Sequence, residues 1–207
     1  NQEIWTAYLN TIFYVTVGTA INLVLTTLGA YPLSRQDLYG RGLFMGIIVF
    51  TMFFFGGLIP IYLNARDLGL YNTRWALLLP PGISAFNLIV MRTFFQTIPD
   101  SLIESAKIDG ASEFRVFWTI VMPYVKPAWL TLMILSFQQL WRDQGGRFIY
   151  KEVLKPLPYA LQQIAAGGIA RQGVAMAVAL IMMIVPIILF IFNQSKIVET
   201  MGTSGID

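Results

Sequence analysis

Residues Ile98 to Pro123 read IPDSLIESAKIDGASEFRVFWTIVMP, and the order of prolines, acids, glycine and serine in this stretch decides how the chain is organised. Pro99 suits the first turn of a helix, and Asp100 and Glu104 lie near that helix's positive end. Gly110 can supply a left-handed stop, after which Ser112 is placed to cap a second helix with Glu113 in its first turn. The reading is a short polar helix, a turn and a new helix.

Working outward, apolar runs flank this stretch on both sides. They are close to the roughly 20 residues that an α-helix needs to cross a hydrocarbon layer. The first spans about Tyr8 to Leu33, followed by the polar loop Ser34-Arg35-Gln36-Asp37 with Gly40 and Gly42 closing it. The second spans about Leu43 to Leu63, and the third about Trp75 to Thr93. Pro80, Pro81 and Gly82 interrupt the third, and because adjacent prolines remove backbone donors, a kink or unwound segment is predicted there. The fourth spans about Pro123 to Trp141 and the fifth about Val174 to Phe192, with Pro186 inside it. The helix between the third and fourth runs is too short and charged to cross, so it is expected to lie along the membrane surface.

Composition agrees with this reading: 56% of the 207 residues are hydrophobic and 12% charged, against about 45–50% and 25% in ordinary soluble domains. The net charge of +3 is scattered over loops, which gives no reason to invoke nucleic acid. Cysteine and histidine are both absent, so disulfides, thiol nucleophiles, zinc clusters and imidazole bases drop out together. No phosphate-binding loop of the Walker type occurs in the sequence, and no acid-base constellation marks an enzyme. The expectation is a non-catalytic membrane chain with no catalytic residue, no metal site and no cofactor of its own.

Glu104-Ser105-Ala106, then Gly110 after three residues, then Ile120-Val121-Met122-Pro123 after nine more, resembles the EAA signature of permeases from ATP-binding-cassette importers. Ser105 and Met122 depart from its usual Ala and Leu, both with similar bulk. Gly57-Leu58-Ile59-Pro60, Leu68 to Thr73 and Met91 to Phe95 are similar to the carbohydrate-uptake branch. Trp141 to Ala170 and the ending Ser195 to Asp207 are similar to permeases for plant polysaccharide fragments of the rhamnogalacturonan type.

The resemblance implies an all-α, polytopic type I importer (MetI-like) transmembrane fold with five spanning helices and a cytoplasmic coupling helix. Residues 1–207 form one transmembrane domain, with 98–123 as the coupling loop, 142–172 as an extracytoplasmic loop, and a further family helix expected before Asn1. Coupling to a separate ATPase falls to Glu104, Ser105, Ala106, Asp109, Gly110, Ile120 and Pro123. The implied partners are a second permease in a heterodimer, a cytoplasmic ATPase dimer that binds ATP and Mg, an extracytoplasmic solute-binding protein, an oligosaccharide and membrane lipid. The place implied is the plasma membrane of a prokaryote. In related maltose-type permeases a tail like Gln194 to Asp207 reaches the ATPase interface, and a frayed end is the alternative for it.

Asn87, Gln138 and Gln139 sit inside or at the end of apolar spans, where a lipid-facing amide is costly, so they and Trp141 are candidates for lining the pathway. Interhelical hydrogen bonding for the amides, and interfacial anchoring for Trp141, are the competing roles. Phe53, Phe54 and Phe55 read as packing rather than as a sugar platform. Charge does not settle orientation, because Arg142, Arg147, Lys151, Lys155 and Arg171 fall opposite the coupling stretch; they would suit an acidic sugar such as a uronate oligomer. The alternative class is an ion-coupled secondary transporter or channel, yet the spans contain no Asp or Glu, and Arg92 and Lys126 lie near span ends.

Overall fold

A computed structural model describes residues 2–54, 56–143, 145, 148–168 and 171–203, with side chains through residue 191; Phe55, Arg147 and 204–207 lie outside the described residues. The described chain is helical, and strands do not occur among these residues. Helix α1, Gln2–Ser34, is 33 residues long and forms the spine of the fold. Its buried positions include Ala7, Thr11, Tyr14, Gly18, Asn22, Thr26, Ala30 and Leu33, a helical repeat of three or four. Most are small or polar, which lets neighbouring backbones approach closely. A Cβ at Gly18 would come within 2.8 Å of Leu140 Cδ1, so even alanine there requires the Leu140 side chain to shift.

The second apolar run is not one helix. It forms α2, Arg41–Phe53, and α3, Leu58–Asp67, inclined at 117° to each other. Gly57 has φ +92°, and Pro60 in the first turn of α3 has no N–H to continue an earlier helix. The third run breaks as expected: α4, Trp75–Leu78, passes into a 3-10 turn at Pro80–Gly82, and α5, Ala85–Gln96, starts again at a 45° bend. Ser84 Oγ caps α5 by accepting from the Asn87 N–H at 3.4 Å.

The polar stretch folds into α6, Asp100–Ile108, and α7, Glu113–Val116. A π-helical turn, Phe117–Val121, carries the chain into the short α8, Met122–Tyr124. A 77° bend at Val125 precedes α9, Lys126–Arg142, so the fourth run starts its long helix three residues later than expected. Pro127 at the second position of α9 suits a helix start.

The expected loop 142–172 is largely ordered structure, containing a 3-10 turn at Glu152–Leu154 and α10, Leu157–Ala166. It is sewn to α1, where Asn10 Nδ2 donates to the Val153 carbonyl at 2.6 Å, Tyr14 Oη donates to Leu154 O at 2.8 Å, and Thr11 Oγ1 accepts from the Leu157 N–H at 2.7 Å. The last helix, α11, runs Gln172–Thr203 through Pro186, so the expected polar tail continues the helix as far as Thr203.

Among the described residues, two helices, Gln2–Ser34 and Gln172–Ile191, are long and apolar enough to cross a membrane singly; three bent pairs bring the total to five. The main core joins the last turns of α1 to α5, α6, α7 and α9 through Leu33, Met91, Phe95, Ile103, Val116 and Leu132. It lies at the α6 end of the molecule, and α10 lies at the opposite end.

Candidate functional site

The corner between α6 and α7 is built from local rules. The Ala111 N–H bonds to Ala106 O and the Gly110 N–H to Lys107 O, both at 3.0 Å, while Gly110 has φ +81°. Those two bonds satisfy the last carbonyls of α6 in a left-handed cap. Ser112 Oγ then accepts from the Arg115 N–H at 3.4 Å, and Glu113 pairs with Lys107 across the turn. That pairing, through its hydrogen bond, pushes the Lys107 ammonium above its ordinary pKa. Pro99 takes the capping position rather than the first turn.

The corner is held from beneath. Ile103 is buried in the main core, and Asp100 pairs with Arg35 at 3.3 Å. Arg35 lies over the Tyr31 ring, which contacts Phe95 and Phe117 in turn. Glu104, Ser105, Asp109 and Gly110 are exposed on the outer face, Ala106 and Ile120 are partly buried, and Pro123 is exposed on α8. Among the described residues Glu104 makes no ion pair. Apolar groups surround these polar ones on the surface: Ile108 is 85% exposed and Phe114 72%. The result is a mixed polar and apolar protrusion fixed through the main core to α1, α5 and α9.

Asn87 is buried. Its amide donates to Asn22 Oδ1 at 3.3 Å and Ser136 Oγ at 3.1 Å, and Ser136 Oγ donates to Asn22 Oδ1 at 2.7 Å. Asn22 Nδ2 donates to the carbonyls of Pro81 and Gly82. One polar node therefore joins α1, α5, α9 and the proline break, and within this chain Asn87 faces other helices. Asn22 and Ser136 escaped the sequence reading. An amide inside the first apolar run was a visible signal for Asn22; a serine in a span carries none.

Gln138 and Gln139 are exposed on α9, away from this node, and the structure does not bring them together with Asn87. Trp141 is 5% exposed, stacks on Phe137 at 5.4 Å, and lines an apolar groove of about 340 Å³ with Leu161, Met182 and Pro186. At the same end Arg142, Lys151 and Arg171 are exposed. Lys155 is buried, bonded to Glu152 and over the Tyr159 ring at 4.2 Å. Burial alone would lower its pKa, but the bonds to Glu152 and Tyr159 outweigh it and the net shift is upward.

Binding-protein-dependent transport system inner membrane components match residues 26–200 of this chain. The polygalacturonan/rhamnogalacturonan transport system permease protein YtcP of Bacillus subtilis is 41% identical over 172 residues, which is 82% of this chain and 60% of that protein. Protein LplC of Bacillus subtilis is 43% identical over 155 residues, covering 74% of this chain and 52% of its own length. The chain thus spans little more than half of these two relatives. A crystal structure of a bacterial ABC transporter involved in the import of the acidic polysaccharide alginate superimposes with a TM-score of 0.85 at 34% identity, over 95% of this chain and 75% of that one.

Proposed function

The chain belongs to the family of binding-protein-dependent transport system inner membrane components, and from that premise we propose that it is a multi-pass permease subunit of an ATP-driven oligosaccharide importer. One observation carries the reading: the exposed α6 corner, with Glu104, Ser105, Asp109 and Gly110 on a protrusion tied to three long elements. A protrusion so fixed passes a push or pull to α1, α5 and α9 together, where a flexible loop would absorb it.

In this reading α6 seats in a cleft on a separate cytoplasmic ATPase dimer, with Ala106, Ile120 and Pro123 shaping its support. ATP closes the ATPase pair, the coupling helices move together, and the spanning helices open outward to a loaded extracytoplasmic binding protein. Hydrolysis at the partner's ATP and Mg site resets them. The α10 end faces that binding protein, and a second, different permease completes the pathway. The substrate class is an acidic oligosaccharide, supported by relatives named for polygalacturonan/rhamnogalacturonan and alginate and by exposed Arg142, Lys151 and Arg171.

The test is uptake into vesicles of the reconstituted transporter with binding protein and labelled galacturonate oligomers. Uptake that requires ATP and ignores an imposed proton or sodium gradient is the expected result. Gradient-driven uptake without ATP would overturn the reading in favour of a secondary transporter. A panel of oligosaccharides on the binding protein defines which sugar is carried.

A further inference from the structure

Three tyrosines from three separate segments meet at the α10 end. Tyr62 on α3 and Tyr71 in the following loop have ring centroids 5.6 Å apart at 90°, and Tyr71 and Tyr150 are 5.3 Å apart at 42°. None of these rings covers another face to face, and Tyr150 is 60% exposed. The cluster is built rather than incidental. Asn72 holds a left-handed backbone, φ +58°, which among non-glycine residues asparagine tolerates best. Its N–H donates to Phe148 O at 2.8 Å, and its Oδ1 accepts from the N–H groups of Tyr150 at 3.2 Å and Lys151 at 3.0 Å. One residue thus fixes the loop bearing Tyr71 against the segment bearing Tyr150 and Lys151.

From this geometry we infer that Tyr62, Tyr71 and Tyr150, with Lys151 beside them, form a saccharide-binding platform for a uronate-containing oligosaccharide. This rests on the importer reading and names where the substrate first touches the permease. Tyrosine suits the task because a ring face packs on the apolar C–H face of a sugar while its hydroxyl bonds to sugar hydroxyls. Desolvation and the neighbouring hydroxyls of Tyr150 and Tyr62 push the Tyr71 phenol above its ordinary pKa. Lys151 supplies the charge: it is exposed and in no ion pair among the described residues, whereas Arg66 near Tyr62 is neutralised by Asp67 at 3.0 Å.

The experiment uses the full permease pair in lipid nanodiscs without binding protein, titrated with trigalacturonate and, as a neutral control, maltotriose, with binding read by saturation-transfer NMR and calorimetry. Parental protein should bind trigalacturonate more tightly than maltotriose. Tyr150→Ala should weaken both sugars at least fivefold, Tyr150→Phe should retain most of the affinity, and Lys151→Gln should remove the preference for the acidic sugar. Absence of trigalacturonate binding to the parental protein, or unchanged affinities in Tyr150→Ala and Lys151→Gln, overturns the platform. So does a loss confined to docking of the binding protein, measured in a separate titration of the same nanodiscs with that protein, which would make the tyrosines a protein contact. ATP-driven uptake by the parental transporter is measured in parallel: its failure defeats the importer reading, whereas normal uptake with unaltered sugar affinity in the variants defeats the platform alone.

Discussion

The side-chain amide of Asn22 in α1 donates to the carbonyl of Pro81 at 3.0 Å, and this bond closes a gap left where the 3-10 turn ends. The chain turns extended at Ile83 and Ser84, so the Pro81 and Gly82 carbonyls have no next helical turn to accept from, and at membrane depth no water stands ready to replace it. Asn22 supplies that partner and uses its oxygen to hold Ser136 and Asn87. The break in the third span is therefore a fixed joint of the fold, with α1 and α9 locked around it.

Asn22→Leu should destabilise the protein far more than Ser136→Ala. An interhelical hydrogen bond in lipid contributes about 0.6 kcal/mol on average, whereas a buried acceptor left unpaired costs about 1–3 kcal/mol. Asn22→Leu orphans the Pro81 and Gly82 carbonyls; Ser136→Ala orphans neither. Thermal unfolding in detergent measures both, and a double variant with Asn87→Leu should be less destabilised than the sum of the two single losses. Additive effects would mean the node is not a unit.

Gly110→Pro and Glu104→Lys should leave membrane insertion intact and abolish coupling. Nothing lies within 4 Å of a Cβ built at Gly110, so the cost there is the left-handed backbone alone, about 1–2 kcal/mol for an ordinary L-residue. Proline cannot adopt the +81° of Gly110, because its ring fixes φ at about −65°, and it also loses the Gly110 N–H bond to Lys107 O. Glu104→Lys breaks no ion pair or side-chain hydrogen bond among the described residues and reverses a charge on the outer face. Transport-linked ATPase activity should fall at least tenfold in both, and parental rates would remove α6 from the coupling role.

Arg35→Ala should cost more than Asp100→Asn. The ion pair is half in solvent, with Asp100 69% exposed, and such pairs contribute about 0–1 kcal/mol. Arg35, only 18% exposed at its side chain, also covers Tyr31 and donates to Phe95 O. Unfolding midpoints of the two variants separate packing from charge; equal losses would assign the whole effect to the ion pair.

The α6 end was the part most legible in the sequence, because Pro99, Gly110, Ser112 and Glu113 act through local backbone chemistry that spacing alone reveals. Pro80 and Pro81 announced their break for the same reason. The break at Gly57 was hidden, since glycines are frequent inside apolar spans and the Gly56-Gly57 pair does not by itself fix a backbone direction as adjacent prolines do; Gly57 takes φ +92°. The order in 142–172 was hidden too: it depends on Asn10, Thr11 and Tyr14 reaching it from more than a hundred residues away in sequence. Asn87 stood out as an amide that lines a cavity or bonds to another helix, and its bonds within this chain are to Asn22 and Ser136, which only the tertiary arrangement brings near.

The Lys107–Glu113 pair sets a pH dependence on the alkaline side. The hydrogen bond to Glu113 raises the Lys107 pKa above 10.5 in the folded chain, so folding favours the protonated ammonium. Its contribution is present in full below pH 10.5 and is lost as pH rises through the raised value. The stability difference between the parent and Lys107→Gln should stay level from pH 8 to about 10 and shrink above that. A difference already fading by pH 9 would show that the pair does not hold in solution.

Trp141 and the two glutamines beside it should separate cleanly by function. The indole is buried against Phe137 and lines the groove with Leu161 and Met182, so its contacts are packing contacts within the chain. Trp141→Phe keeps a stacked ring and should leave uptake and substrate ranking near parental. Trp141→Ala empties the site, at a cost of about 3–5 kcal/mol in stability. Gln138 and Gln139 instead expose amides on α9, and an amide at membrane depth is stable only against a polar cavity or a partner chain. Gln138→Leu and Gln139→Leu should therefore raise the apparent KM for oligosaccharide or reorder the substrates, with little loss of stability. Uptake assays with saturating binding protein hold upstream recognition constant. Parental kinetics in both glutamine variants would move the sugar contacts to the second permease, and altered ranking in Trp141→Phe would return the indole to the pathway.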